Sequence, residues 1–112
     1  MIDTEETAKK KLLSTSRAII ANQVALPVGI LSMNKLMSIF SNEIQELGLS
    51  LSTFKTAYNE IYEFALGSER INCNVHFLIK QDKELNATLD SYRDSILIEC
   101  FDLVRILSSE DK

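Results

Sequence analysis

Leu85-Asn86-Ala87-Thr88-Leu89-Asp90-Ser91-Tyr92-Arg93-Asp94-Ser95-Ile96-Leu97-Ile98-Glu99-Cys100-Phe101-Asp102-Leu103-Val104-Arg105-Ile106-Leu107 decides the fold. Its apolar residues Leu85, Leu89, Tyr92, Ile96, Cys100, Leu103 and Leu107 recur at intervals of three and four, the period of a stripe along one side of an α-helix. A second stripe of the same kind runs through Ile30, Met33, Met37, Phe40, Ile44 and Leu47. The aromatic and β-branched residues follow this helical spacing, which argues against a sheet. The spacing predicts an all-α protein, an irregular up-down bundle of about four helices with a long C-terminal one.

The punctuation between the stripes gives the element boundaries. A first helix is expected over about Thr4–Asn22, capped by Asp3 or Thr4, with Glu5 and Glu6 in the first turn where negative charge suits the helix dipole. Its inward face should carry Leu12, Ile19 and Ile20. Proline disfavours a helical residue before it, so Leu26 marks a boundary and Pro27 opens the second helix. That helix is expected to reach Leu47, with Gly48 as its left-handed cap. A third follows Ser50 or Ser52, turns Phe54, Ala57, Tyr58, Ile61 and Ala65 inward and ends at Gly67. Ser68 to Gln81 reads as a loop with a short helical turn. The last helix then spans about Asp82 to Leu107, nearly 40 Å at roughly 1.5 Å per residue.

Composition bounds what such a chain does. Its 112 residues are 46% hydrophobic and 25% charged, which fits one globular domain over 1–112 and not a disordered chain. No run approaches the roughly 18 apolar residues of a membrane span, and the acidic start Asp3-Thr4-Glu5-Glu6 is unlike a secretory signal, so a cytoplasmic protein without membrane contact is expected. Cys73 and Cys100 lack metal-ligand spacing; Cys100 falls in the terminal stripe and is expected to be buried and apolar. One histidine cannot make a two-histidine metal site, and glycines at 29, 48 and 67 cannot make a phosphate-cradling loop. No cofactor, no metal and no catalytic residue is expected. The net charge of −4 and the brevity of Lys9-Lys10-Lys11 argue against direct nucleic-acid binding.

The acidic residues are unevenly placed. Between Leu36 and Gly67 the charges are Glu43, Glu46, Glu60, Glu63 and a single Lys55, a local charge of −3. The first two glutamates share one side of the second helix and the last two one side of the third, so antiparallel packing would join them into a patch that attracts a basic partner. Tyr58 and Tyr62 are candidate anchors beside it.

Two resemblances give this surface a meaning. Arg17-Ala18-Ile19-Ile20-Ala21-Asn22-Gln23-Val24-Ala25-Leu26-Pro27-Val28-Gly29-Ile30, with Asp82-Lys83-Glu84-Leu85 and Tyr92, Ile96 and Cys100 later in the chain, resembles small helical bacterial proteins, some of which serve as immunity proteins of polymorphic or contact-dependent inhibition toxins. The resemblance implies a non-enzymatic protein that neutralises a cognate toxin, a basic nuclease, by covering it stoichiometrically through its acidic face. Arg70 and His76, five residues apart between them, resemble instead the arginine-to-histidine spacing of HEPN ribonucleases. There histidine would act as general acid or base and arginine would stabilise phosphorane charge. A third alternative is an adaptor that self-associates through an apolar stripe, so both monomer and homodimer remain open.

Overall fold

The computed structural model describes residues 4–64 and 68–109. Helix α1, Thr4–Ile20, has Glu5 and Glu6 in its first turn and Arg17 in its last, both favourable to the dipole, and buries Ala8, Leu12, Ser16 and Ile19. It stops two residues earlier than expected because Asn22 adopts a left-handed φ of 59°. The N–H groups of Asn22 and Gln23 turn back onto the carbonyls of Ile19 and Ala18 at 3.1 and 2.9 Å. That closes the helix, and asparagine is among the few side chains that accept this conformation.

Helix α2, Leu26–Ile39, opens with Pro27 in its first turn as expected. Gly29 is where α2 meets α1: a Cβ there would lie 2.7 Å from Ile19 Cγ1. The expected continuation to Leu47 is interrupted. At Phe40 the backbone leaves the helical region (φ −112°, ψ 33°), and Ser41–Leu47 forms a separate helix, α3. The break sacrifices little, since Phe40 N–H still donates to Leu36 O and Ile44 N–H to Phe40 O, at 2.8 and 2.9 Å, while the Phe40 ring is buried. Gly48 closes α3 in the left-handed conformation expected of it, at φ 68°.

Helix α4, Ser52–Ile61, buries Phe54, Ala57 and Ile61 and stops short of the expected end at Gly67, because at Phe64 the N–H turns back onto Ile61 O at 3.0 Å in a tightened turn; Ala65 and Gly67 themselves lie outside the described residues. Neither Ser50 nor Ser52 caps it. The cap residue is Leu51, which supplies no side-chain bond, and the N–H groups of Thr53 and Phe54 donate instead to Glu99 Oε2 and Oε1 at 3.5 and 3.4 Å. Desolvation raises the Glu99 carboxyl above its ordinary range, against these bonds, which lower it.

The stretch 68–81 is more helical than its sequence suggests. A 3₁₀ turn over Ser68–Asn72 leads to α5, Val75–Asp90, whose N-cap Asn74 accepts from His76 N–H and Phe77 N–H at 2.8 and 3.4 Å. The expected long terminal helix is divided into α5 and α6, Arg93–Ser109. At the join Ser91 Oγ donates to Thr88 O at 2.8 Å and Tyr92 N–H to Leu89 O at 2.9 Å, a tightened turn. The half-buried Tyr92 hydroxyl donates to Glu60, which raises its pKa, with burial adding to the effect.

The resulting arrangement, six helices among the described residues, is all-α but not a four-helix up-down bundle. Its most extensive pairing is α6 on α1, with α2 packed on α1 and α4 on α2. Leu12, Ile30, Met33, Phe54, Ile61, Leu89, Ile96 and Leu103 form the common core. The radius of gyration is 15.1 Å and the extents are 50 × 30 × 22 Å, longer than the roughly 13 Å radius of a compact chain of this size. No described helix is long and apolar enough to cross a membrane.

Candidate functional site

The six expected contact residues divide between two places. Glu43 and Glu46 lie on α3, which packs on α1 and α2; Tyr58 and Glu60 lie on α4, which packs on α2, α5 and α6, and Tyr62 and Glu63 follow directly on its end. Glu46 is exposed, whereas Glu43 is half-buried and keeps one carboxylate oxygen out of solvent without a bonding partner. The other four gather at the end of α4. The Tyr58 and Tyr62 rings stack at 6.1 Å with 28° between planes, and the Tyr62 hydroxyl donates to Glu63 Oε1 at 3.3 Å.

This end of α4 borders a groove of about 360 Å³, open to solvent and lined by Glu63, Phe64, Phe77, Lys80, Gln81 and Glu84. Phe77, Lys80, Gln81 and Glu84 recur at three and four along α5 and so share a side. Phe77 is 53% exposed and Tyr62 56%, a combination of large apolar surface with a charged border that marks contact sites. Ile71, Val75 and Ile79 are exposed too, the last two on the opposite flank of α5. None of the α5 residues was among the expected contacts, because Asn72 and Asn74 read as loop formers. The usable signal was Asn74 itself, a helix cap before an apolar run.

Arg70 and His76 do not share a helix. Arg70 stands in the 3₁₀ turn and donates from both terminal nitrogens to Asp82, at 2.8 and 2.9 Å. The fork holds Asp82 below, and Arg70 above, its ordinary pKa, hydrogen bonding being the leading cause for each. His76 is exposed in the first turn of α5, and neither residue lines the groove. The basic run is only partly a solvated face. Lys9 pairs with Glu5 at 3.6 Å, whereas Lys10 and Lys11 join Lys35, Ser14, Thr15 and Ser32 around a second open groove between α1 and α2.

The cysteines are plainly different. Cys100 is buried as expected, its thiol pushed up to about 12, first by burial and then by the charge of Glu99, with the fully buried Ser16 beside it opposing. Such a thiol is inert at neutral pH. The Cys73 thiol, nearer the surface, donates to Glu69 O at 3.5 Å. Among the described residues no three His, Cys, Asp or Glu side chains cluster as metal ligands would. Compared with protein-family models, curated proteins and solved structures, the chain matches none.

Proposed function

We propose that this chain is a stoichiometric inhibitor of the immunity type, which binds a cognate bacterial toxin, a nuclease with a basic active site, and performs no catalysis. The observation that supports the reading is the end of α4 and the start of α5, where exposed Tyr62 and Phe77 stand beside a groove bordered by Glu63 and Glu84. Aromatic anchors give a partner something to bury, and glutamates at the border steer a basic one toward it. This moves the proposed contact surface off α3, leaving Glu43 and Glu46 aside and adding Phe77 and Glu84. Neutralisation would follow from coverage of the toxin's active site, in the cytoplasm.

The HEPN-like alternative has less to support it. A phosphorane-stabilising arginine must be available to the substrate, and both terminal nitrogens of Arg70 engage Asp82.

The test takes as partner a toxin sought among the genes next to this one, where an immunity protein's toxin is expected. Reversing Glu60, Glu63 and Glu84 to lysine should slow association at least about tenfold and remove much of its salt dependence. Phe77→Ala should act on dissociation instead. Reversal of Glu43 and Glu46 should leave both rates within about twofold. Unchanged affinity in the triple variant would overturn the reading.

A further inference from the structure

Helix α6 is apolar on two opposite sides, and the core uses one of them. The inner stripe Ile96, Cys100, Leu103 and Leu107 is at most 2% exposed. The outer stripe has the same four-three-four spacing two residues out of step: Asp94, Ile98, Phe101 and Arg105. A shift of two residues on an α-helix turns a stripe to within about 20° of the opposite side. Ile98 is 64% and Phe101 59% exposed, and the charged residues at both ends are exposed too. The outer side of a surface helix is ordinarily polar. Half-buried Leu97 and Val104 extend the apolar strip along one flank, where Leu97 lies near Ile19 and Ile20 of α1.

The order acid, apolar, apolar, base is what selects the occupant. Two such stripes laid antiparallel about a two-fold axis between Ile98 and Phe101 bring Ile98 of each copy onto Phe101 of the other. The same operation brings Asp94 of each copy to Arg105 of the other. Laid parallel, aspartate would meet aspartate and arginine would meet arginine, so the charges choose the antiparallel pairing. An isologous contact requires just this self-complementarity. Arg105 also pairs with Asp102 of its own helix at 3.4 Å, and with its side chain 71% exposed it remains open to a second carboxylate. We propose that the outer face of α6 is a docking surface for a second copy of this chain, packed antiparallel.

This surface differs from the sequence stripes first suspected of self-association, whose residues in α6 are committed to the core. It shares no residue with the groove at the end of α4 and does not depend on the function proposed for that groove. A single helix-on-helix contact is smaller than the roughly 1,200–2,000 Å² of stable interfaces, so the dimer is weak and depends on concentration.

Sedimentation equilibrium of the full chain over about 10 μM to 1 mM tests it, a range that brackets weak dissociation constants. The mass should climb from 12.7 kDa toward twice that value, and Phe101→Glu should hold it at the lower one. Asp94→Lys and Arg105→Glu should each weaken association about tenfold, and the two together should restore it to within about threefold. Circular dichroism confirms that each variant is folded. A constant 12.7 kDa, a dimer indifferent to Phe101→Glu, or a double variant no better than the singles would each overturn the proposal.

Discussion

The α1–α2–α6 body and the start of α5, at the α4–α5 end, are built from similar residues and differ in how far other helices cover them. Leu12 of α1 is fully buried under α2 and α6, and the buried stripe of α1 runs from Ala8 to Ile19 without interruption. At the start of α5, Val75, Phe77 and Ile79 are all more than half exposed, because α5 has only modest packing on α4 and α6. Apolar content alone therefore does not define a core. Burial needs helices on both sides, and where they are missing the same residues become surface available to a partner.

The largest expected contrast is in stability. Leu12→Ala should cost about 2–5 kcal/mol, since it removes buried methyl groups and leaves a cavity among packed helices. Phe77→Ala should stay within about 0.5 kcal/mol despite deleting a larger side chain. Urea midpoints of the two variants decide between them, and equal losses would mean that the Phe77 ring is packed on the core after all. Gly29→Ala comes next. Its methyl would meet Ile19 Cγ1 at 2.7 Å, and a β-branched neighbour packed in the core cannot swing aside. A loss of about 1–3 kcal/mol is expected, against a small gain if α1 and α2 can separate freely.

Asn74→Ala should be smaller and local. Removing the acceptor of two amides at the start of α5 costs a helix about 1 kcal/mol. Hydrogen exchange should report that loss in the first turn of α5, while protection in α1 stays unchanged. Loss of protection in both would show that the end and the body unfold as one.

The same division explains what could be read from the chain. Periodicity picked out core residues: Ile30, Met33, Leu85, Leu89, Ile96, Cys100, Leu103 and Leu107 are all buried. It could not place the breaks at Phe40 and at Ser91–Tyr92, because a bend that keeps apolar residues inward preserves the three-four spacing on either side. The cap of α4 was out of reach for a different reason: Glu99 comes to Thr53 from 46 positions along the chain, and the local serines looked sufficient. Around the groove, Tyr62 and Glu63 stand out in the sequence as an aromatic beside an acidic residue, although both lie just past the end of α4 and not on the helix that their spacing suggests. The α5 lining was not, since asparagine signals both a loop and the start of a helix, and Asn74 does the second.

The finest contrast is in the response to acid, where one carboxyl from each region should act with opposite sign. Glu99 lies between α6 and α4, and burial raises its pKa. A carboxyl raised in the folded state contributes stability that is fully present below its unfolded pKa and lost as pH rises through the folded value. Asp82 at the α4–α5 end is lowered by the Arg70 fork. Its contribution is present above the unfolded pKa and lost as pH falls through the folded value. Acidification from neutrality through the carboxyl range should therefore favour the body through Glu99 while it releases the end through Asp82. The urea midpoint of the wild type relative to Glu99→Gln should rise as pH falls, and that relative to Asp82→Asn should fall. The second difference should also shrink in high salt, since the Arg70–Asp82 pair is exposed to screening ions. Two differences of the same sign would remove the contrast, because both carboxyls would then be responding to net charge and not to their places in the fold.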